Sequence, residues 1–299
     1  MVESGQMAEP PYKVDLVGIT PKTVLYDGAF EINPTASIDQ IEQTDLIIVT
    51  TIVGDFEAEI KRNSAFVHWI REQRIKHNAE VASLCTGAFL LAETGLLNGK
   101  SCATHWVAHD LFQKMYPQIN LVPEKVISED NGIYSSGGAY SFLNLLLYLV
   151  EKYSGRETAI WCSKLFEIEF DRDNQNQFMI FQGQKTHEDE AIKKAQVYIE
   201  NNVGEKINVE KLAAMFALSG RNFVRRFKKA TSNTPLEYIQ RVKIEAAKKS
   251  LENTTHNVSE VMVNVGYIDD KAFRNTFRKF TGLSPLEYRS KYNREMAMA

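Results

Sequence analysis

Thr234-Pro235-Leu236-Glu237-Tyr238 and Ser284-Pro285-Leu286-Glu287-Tyr288 are nearly the same phrase written twice, fifty residues apart. Each copy opens with a hydroxyl residue that can cap a helix. Proline follows, as suits a first helical turn, and glutamate stands three places after the hydroxyl as a capping-box partner. Both copies therefore start a helix. The register extends upstream, where Phe223, Phe227, Thr231 and Pro235 return as Phe273, Phe277, Thr281 and Pro285. Further back, Asn208-Val209 matches Asn257-Val258 at an offset of forty-nine, so the second copy has gained one residue. Turns absorb such insertions and helices do not. The extra residue belongs between a short helix (about Val209 to Ala217, and Val258 to Val265) and a basic one (Arg221 to Ala230, and Lys271 to Phe280).

Phe223 and Phe227, like Phe273 and Phe277, stand at i and i+4 and give each basic helix one apolar face. Arg221, Arg225, Arg226, Lys228 and Lys229 in the first, and Lys271, Arg274, Arg278 and Lys279 in the second, occupy the remainder. A helix-turn-helix whose second helix is basic on its outer face suits a major groove, where Arg pairs bidentately with guanine and Asn with adenine. One basic helix alone reads more simply as a solvated face. Two in register, each behind a short helix and a turn, favour the groove. The charge balance agrees once the chain is cut. Overall, 35 Lys and Arg stand against 38 Asp and Glu, net −3, whereas residues 188–299 hold 20 basic and 14 acidic residues, net +6. Residues 1–187 keep 15 against 24, net −9, so only the C-terminal part is drawn to a polyanion.

From about Ala191 to Tyr292 the chain resembles the DNA-binding domain of AraC-type transcriptional regulators. The marks are Leu212-Ala213, Phe223 through Lys229, Gly266-Tyr267, and the Phe273 to Tyr288 run with Gly282-Leu283-Ser284-Pro285. The resemblance implies an all-α domain of two helix-turn-helix subdomains joined by a long helix, here about Pro235 to Leu251. Its two recognition helices would enter successive major grooves roughly 34 Å apart. By position, the base-reading places fall on Arg221, Val224 and Arg225, and on Asp270, Lys271, Arg274 and Asn275, with Lys228, Lys229 and Arg278 beside them as DNA-binding residues. Val224 offers only an apolar contact, such as one to a thymine methyl, and Asp270 would repel phosphate.

The preceding residues read as one α/β domain. Val14 to Ile19, Leu46 to Thr50, Val81 to Cys85 and Val126 to Ser128 are short runs rich in Val, Ile and Leu. Helical stretches such as Ala65 to His77, Ala88 to Thr94 and Phe142 to Tyr153 separate them, which implies a mostly parallel sheet with helices on both sides. Phe142 to Val150 is the most apolar stretch, yet far shorter than the ~20 residues that cross a bilayer. No membrane segment or export leader is expected, and three cysteines without metal-ligand spacing fit a reducing cytoplasm with no metal or cofactor.

Ala82-Ser83-Leu84-Cys85-Thr86-Gly87-Ala88-Phe89 reads as a strand ending in Cys and turning at Gly into a helix. That geometry sets a thiol near a helix N-terminus, where the dipole lowers its pKa and could make it a nucleophile. A small buried core residue is the equal alternative. Cys102-Ala103-Thr104-His105-Trp106 then offers an imidazole, and Cys102 and Cys162 read as core. These segments, with Gly95-Leu96-Leu97-Asn98-Gly99 and Ser135-Ser136-Gly137-Gly138-Ala139, resemble PfpI-like, class I glutamine amidotransferase-like domains of flavodoxin-like fold over about Lys13 to Phe170. Joined to an AraC-type C-terminus, the combination resembles the GlxA-like transcriptional regulators. In that branch the resemblance implies a sensing and dimerising module, with Cys85, Thr86 and His105 as a candidate effector pocket and no catalytic residues. The domain is similar also to isonitrile hydratases, whose Cys-Thr elbow corresponds to Cys85 and Thr86.

Domains of this superfamily begin with a central strand and a helix that carry an acidic residue facing the elbow. Here Met1 to Tyr12, with Glu3, Ser4, Gly5, Gln6 and a Pro10-Pro11 pair, precede what reads as the second strand and cannot supply a buried one. The first strand, its helix and the acid are therefore expected to be missing, through a misplaced start or an incomplete sheet. The expected layout is a polar segment 1–12, a PfpI-like domain 13–174, a linker 175–189 and an AraC-type domain 190–299. The leading functional expectation is a cytoplasmic, homodimeric regulator that binds double-stranded DNA and responds to a small molecule. The alternative is a cysteine-dependent hydratase or amidase fused to a DNA-binding module.

Overall fold

Leu46–Val49 and Glu80–Ser83, two of the apolar runs expected as strands, lie side by side in parallel. They belong to a four-stranded sheet ordered Leu46–Val49, Glu80–Ser83, Ile133–Ser136, Ile127–Asp130. The first three strands run parallel and the last is antiparallel. The structure is a computed structural model describing residues 10–170, 172 and 174–293. The chain divides into two units, Met1–Gln175 and Asn176–Ala299.

In the first unit, strand Ile133–Ser136 was not expected, because Ile-Tyr-Ser-Ser does not read as an apolar run. All four residues are buried, and the serine hydroxyls are satisfied. Ser135 Oγ accepts the Ala103 N–H at 2.8 Å and Ser136 Oγ the Cys85 N–H at 3.4 Å. Conversely, the expected strand Val14 to Ile19 forms only Val17–Gly18, paired with Ala36–Ser37 outside the main sheet. Its apolar residues do not enter the core, and Val14 is 84% exposed. The expectation of a missing strand and acid rests largely on residues 1–9, which lie outside the described residues.

Helices Ser64–His77 and Ala88–Glu93 match their expected positions. Ser141–Leu165 is broken at Gly155, whose φ of 84° interrupts the helical path, so the expected Phe142 to Tyr153 forms its first part. Ala88–Glu93 is short and apolar because the core surrounds it. Phe89 stacks on Phe56 with ring centroids 4.2 Å apart and meets Phe112 edge-on at 5.0 Å. At the other end of strand Glu80–Ser83, Glu80 accepts from Lys152 at 2.6 Å and from Tyr134 at 3.1 Å, tying helix Ser141–Leu165 to the sheet. No helix among the described residues is long and apolar enough to cross a membrane.

The second unit is helical and carries the repeat literally. Short helices Val209–Met215 and Val258–Asn264 are capped by Asn208 and Asn257. Basic helices Gly220–Thr231 and Asp270–Thr281 are capped by Ser219 and Asp269. Thr234 and Ser284, the residues that open the repeated phrase, cap Pro235–Asn253 and Pro285–Tyr292 by accepting from Glu237 and Glu287 N–H. Even the exits match, since Thr231 and Thr281 donate to Phe227 and Phe277 carbonyls at 2.8 Å in both copies. The offset changes from forty-nine to fifty between the short and basic helices, in the turn, as expected. Two cores result: Phe223, Phe227 and Tyr238 centre one, and Phe273, Phe277 and Tyr288 the other. Helix Pro235–Asn253 contributes to both.

Within the stretch expected as linker, Gln175 belongs to the first unit, while the residues after it are held against the second. Phe181 N–H donates to Glu245 at 3.2 Å, Lys185 pairs with Glu200 at 2.6 Å, and His187 and Gln196 are hydrogen-bonded at 2.9 Å.

Candidate nucleic-acid interface

Because Phe223, Phe227, Phe273 and Phe277 are fully buried, the opposite faces of the two basic helices must point outward. Arg221, Val224, Arg225, Lys228 and Lys229 are exposed on the first helix, and Lys271, Asn275 and Arg278 on the second, with Arg274 half-buried at the edge. Several are already engaged by neighbours. Arg225 Nη2 donates to Asn222 at 2.9 Å, Arg274 Nε to Asp270 at 2.7 Å, and Arg278 lies 3.7 Å from Glu287.

Arg226 departs from the expected outer face. It turns back to Asp189, donating through Nε at 2.8 Å and Nη2 at 2.6 Å, and so locks the helix to the cap of helix Glu190–Asn201. Arg226 beside it holds the Asp189 carboxyl below the usual carboxylate range. Other cations counted in the net +6 also face inward. Arg241 lies over the Phe280 ring at 4.8 Å, and Lys248 donates to the Met179 carbonyl at 2.6 Å and to Glu245 at 2.8 Å. Lys243 donates to three carbonyls, those of Val203, Glu205 and Val265, at 2.7, 2.9 and 2.7 Å. Sequence reading did not single these out, although the signal was present. Lys243 and Lys248 stand four residues after Ile239 and Ile244, on the buried face of one helix.

In the first unit an elbow forms as expected, but the strand ends at Ser83 rather than at the cysteine, and the sharp turn falls on Cys85 rather than on Gly87. Cys85 sits at φ 56° and is buried, which is an unusual conformation for a residue with a side chain. Gly87 is packed so tightly that an added Cβ would lie 2.6 Å from the carbonyl oxygens of Val49 and Thr50. Thr86 Oγ1 donates to the Ile52 carbonyl at 2.6 Å, and Thr104 Oγ1 donates to the Cys85 carbonyl at 2.9 Å. Thr86 is thus held as a structural link, and Thr104 draws the His105 segment to the elbow. His105 Nδ1 accepts the Val107 N–H at 3.1 Å, and burial holds the imidazole below its ordinary pKa. Cys102 is core, its thiol pushed up to about 12 by burial, while Cys162 is half-buried rather than core. Among the described residues no group of His, Cys, Asp and Glu is arranged to hold a metal ion.

Sequence reading missed Gln175. Its Nε2 donates to the carbonyls of Thr104, Pro123 and Lys125 at 3.2, 2.9 and 3.1 Å, and its Oε1 accepts the Gly138 N–H at 2.8 Å. A side chain on Gly137 would meet it at 2.6 Å, which accounts for the first of the two glycines. No local pattern announces such a contact, since its partners lie 37 to 71 residues away.

Residues 4–152 match the DJ-1/PfpI family and residues 212–291 the helix-turn-helix domain. Over 279 residues the chain is 23% identical to the HTH-type transcriptional regulator GbdR of Pseudomonas aeruginosa, covering 93% of this chain and 75% of that one. It is 26% identical over 269 residues to the HTH-type transcriptional regulator CdhR of the same species, covering 89% and 78%. Against the isonitrile hydratase of Pseudomonas putida it is 30% identical over 146 residues, 48% of this chain and 59% of the hydratase.

Proposed function

We propose that this chain, one of the GlxA-like transcriptional regulators with a PfpI-like domain ahead of an AraC-type DNA-binding domain, reads DNA with two helices and senses with its elbow domain. It is a sequence-specific DNA-binding transcription regulator. The observation that carries the reading is the pair of helices Gly220–Thr231 and Asp270–Thr281. Both are anchored by the same phenylalanines and the same threonine bond, and both turn cations outward. Base reading falls to Arg221, Val224, Arg225, Lys271, Arg274 and Asn275, and phosphate contact to Lys228, Lys229 and Arg278. The elbow domain serves as the effector-responsive and dimerising part, with the protein acting in the cytoplasm.

Catalysis is not part of the reading. With Nδ1 accepting the Val107 N–H, the neutral His105 ring carries its proton on Nε2 and has no free lone pair with which to take one from a thiol. Binding of the full-length protein to selected and random duplexes tests the proposal. Arg225→Ala is expected to cost about 1–3 kcal/mol at the selected site, and Lys229→Ala to weaken all sequences alike and shallow the salt dependence. Equal affinity of wild type for selected and random DNA at moderate salt defeats the reading.

A further inference from the structure

An aspartate on the first turn of a helix meant for DNA is an apparent contradiction. Asp270 is the first residue of Asp270–Thr281, among Lys271, Arg274, Asn275 and Arg278, where every phosphate would repel it. It does not cap the helix, since Asp269 does that, accepting the Ala272 N–H at 2.6 Å. Among the described residues it is Arg274 that engages it, Nε donating to Oδ2 at 2.7 Å. The two side chains are 54% and 41% exposed, so their pairing adds little to stability.

The geometry points to Asp270 as a positioning residue that fixes the Arg274 guanidinium for base reading, an inference that rests on the DNA-reading function proposed above. A guanidinium presents its donors in a planar fork. When Nε is engaged by a carboxylate one turn back, rotation of the fork is arrested while the terminal Nη1 and Nη2 stay free. Two such nitrogens are what bidentate pairing to guanine O6 and N7 requires. Recognition helices place their N-terminal residues against base edges, and Arg274 stands one turn into this one. Asp270 therefore lowers affinity for DNA in general and raises discrimination at one base pair. The device belongs to the second helix alone, because the residues fifty places earlier are Gly220 and Val224. The two helices consequently read unlike half-sites, and only the second holds a pre-oriented arginine at this position.

The test is selection of duplexes from a random pool by full-length wild type, Asp270→Ala, Asp270→Asn and Arg274→Ala, followed by affinities at low and moderate salt. The inference expects Asp270→Ala and Arg274→Ala to lose guanine preference at the same position, each by about tenfold. Asp270→Ala should also bind random DNA more tightly, and Asp270→Asn, which keeps an acceptor oxygen, should retain part of the preference. Unchanged preference in Asp270→Ala with uniformly tighter binding overturns the inference and leaves Asp270 a repelling surface charge. Lost preference at a different base pair also overturns it, making Asp270 a direct reader. If wild type itself selects no sequence, the DNA-reading proposal fails instead. Because the pair is exposed, all variants should melt with wild type.

Discussion

Lys243 shows how one side chain can be read wrongly from composition and correctly from its position. It counts as a cation in a basic domain, yet its ammonium is enclosed by the carbonyls of Val203, Glu205 and Val265, at the crossing of the two cores. Burial lowers its pKa, so the charge is costly, but the three carbonyls would be stranded without it. We predict that Lys243→Met destabilises the second unit by about 1–3 kcal/mol, the cost of leaving buried acceptors unpaired. Denaturant melts of the full chain would show this, and a variant as stable as wild type would mean that water satisfies those carbonyls. His105 carries a pH signature of the opposite unit. Burial places its folded-state pKa below the ordinary 6.5. The unfolded chain then binds more protons in the interval below 6.5, so stability rises with pH there. The contribution is complete above about 6.5 and is lost as pH falls toward the folded-state value. His105→Gln should flatten that part of the first unit's stability profile. A slope unaltered by the substitution would assign the acid sensitivity to other groups.

Among elements, the contrast between the two units follows from where their information lies. The second unit was legible almost to the residue, because caps, first-turn prolines and the Phe-x-x-x-Phe spacing are local signals, stated twice. The first unit was legible only where strands are apolar. Leu46–Val49 and Glu80–Ser83 emerged, whereas Ile133–Ser136 did not, because its burial depends on hydroxyl partners at Ala103 and Cys85 that adjacent sequence cannot reveal. Val14 to Ile19 misled for the reverse reason, being apolar without a sheet to join. At the candidate site, the elbow was visible as Cys-Thr-Gly, but Gln175 and the Arg226–Asp189 lock were not, since both depend on residues distant in sequence. The elbow also provides an element-scale prediction. Gly87 has an ordinary φ, so it is needed for proximity alone, with two carbonyl oxygens 2.6 Å from any added Cβ. Backbone oxygens cannot swing aside as a side chain can. Gly87→Ala should cost about 1–3 kcal/mol through forced displacement of the Leu46–Val49 strand end. Thermal unfolding of the first unit checks it, and an unshifted midpoint would show that the elbow is looser than its packing implies.

At the scale of the whole molecule, the chain separates charge as it separates task. Residues 1–187 carry net −9 and residues 188–299 net +6, so DNA attraction must come from the second part against the field of the first. The elbow lies in the acidic part, and our last prediction is that its chemistry takes no part in holding DNA. The Cys85 N–H is bonded to Ser136 and its carbonyl to Thr104, both through the backbone, so the fold uses the position and not the sulfur. Cys85→Ser should therefore leave operator affinity of the effector-free protein within about twofold of wild type, as expected for a substitution outside the unit that carries the two basic helices. The wild type should also lack Cys85-dependent turnover of amides, aldehydes or isonitriles. Thiolate attack on any of these requires a group that moves protons at the reacting atom, and the His105 imidazole has its lone pair bound to Val107 while His109 is held at the Thr104 carbonyl. Parallel measurements on the two proteins decide both points. A turnover at an ordinary enzymatic rate that disappears in Cys85→Ser would make the elbow a working hydratase or amidase. A large loss of operator affinity without turnover would instead make the thiol part of the switch that controls the DNA-binding helices.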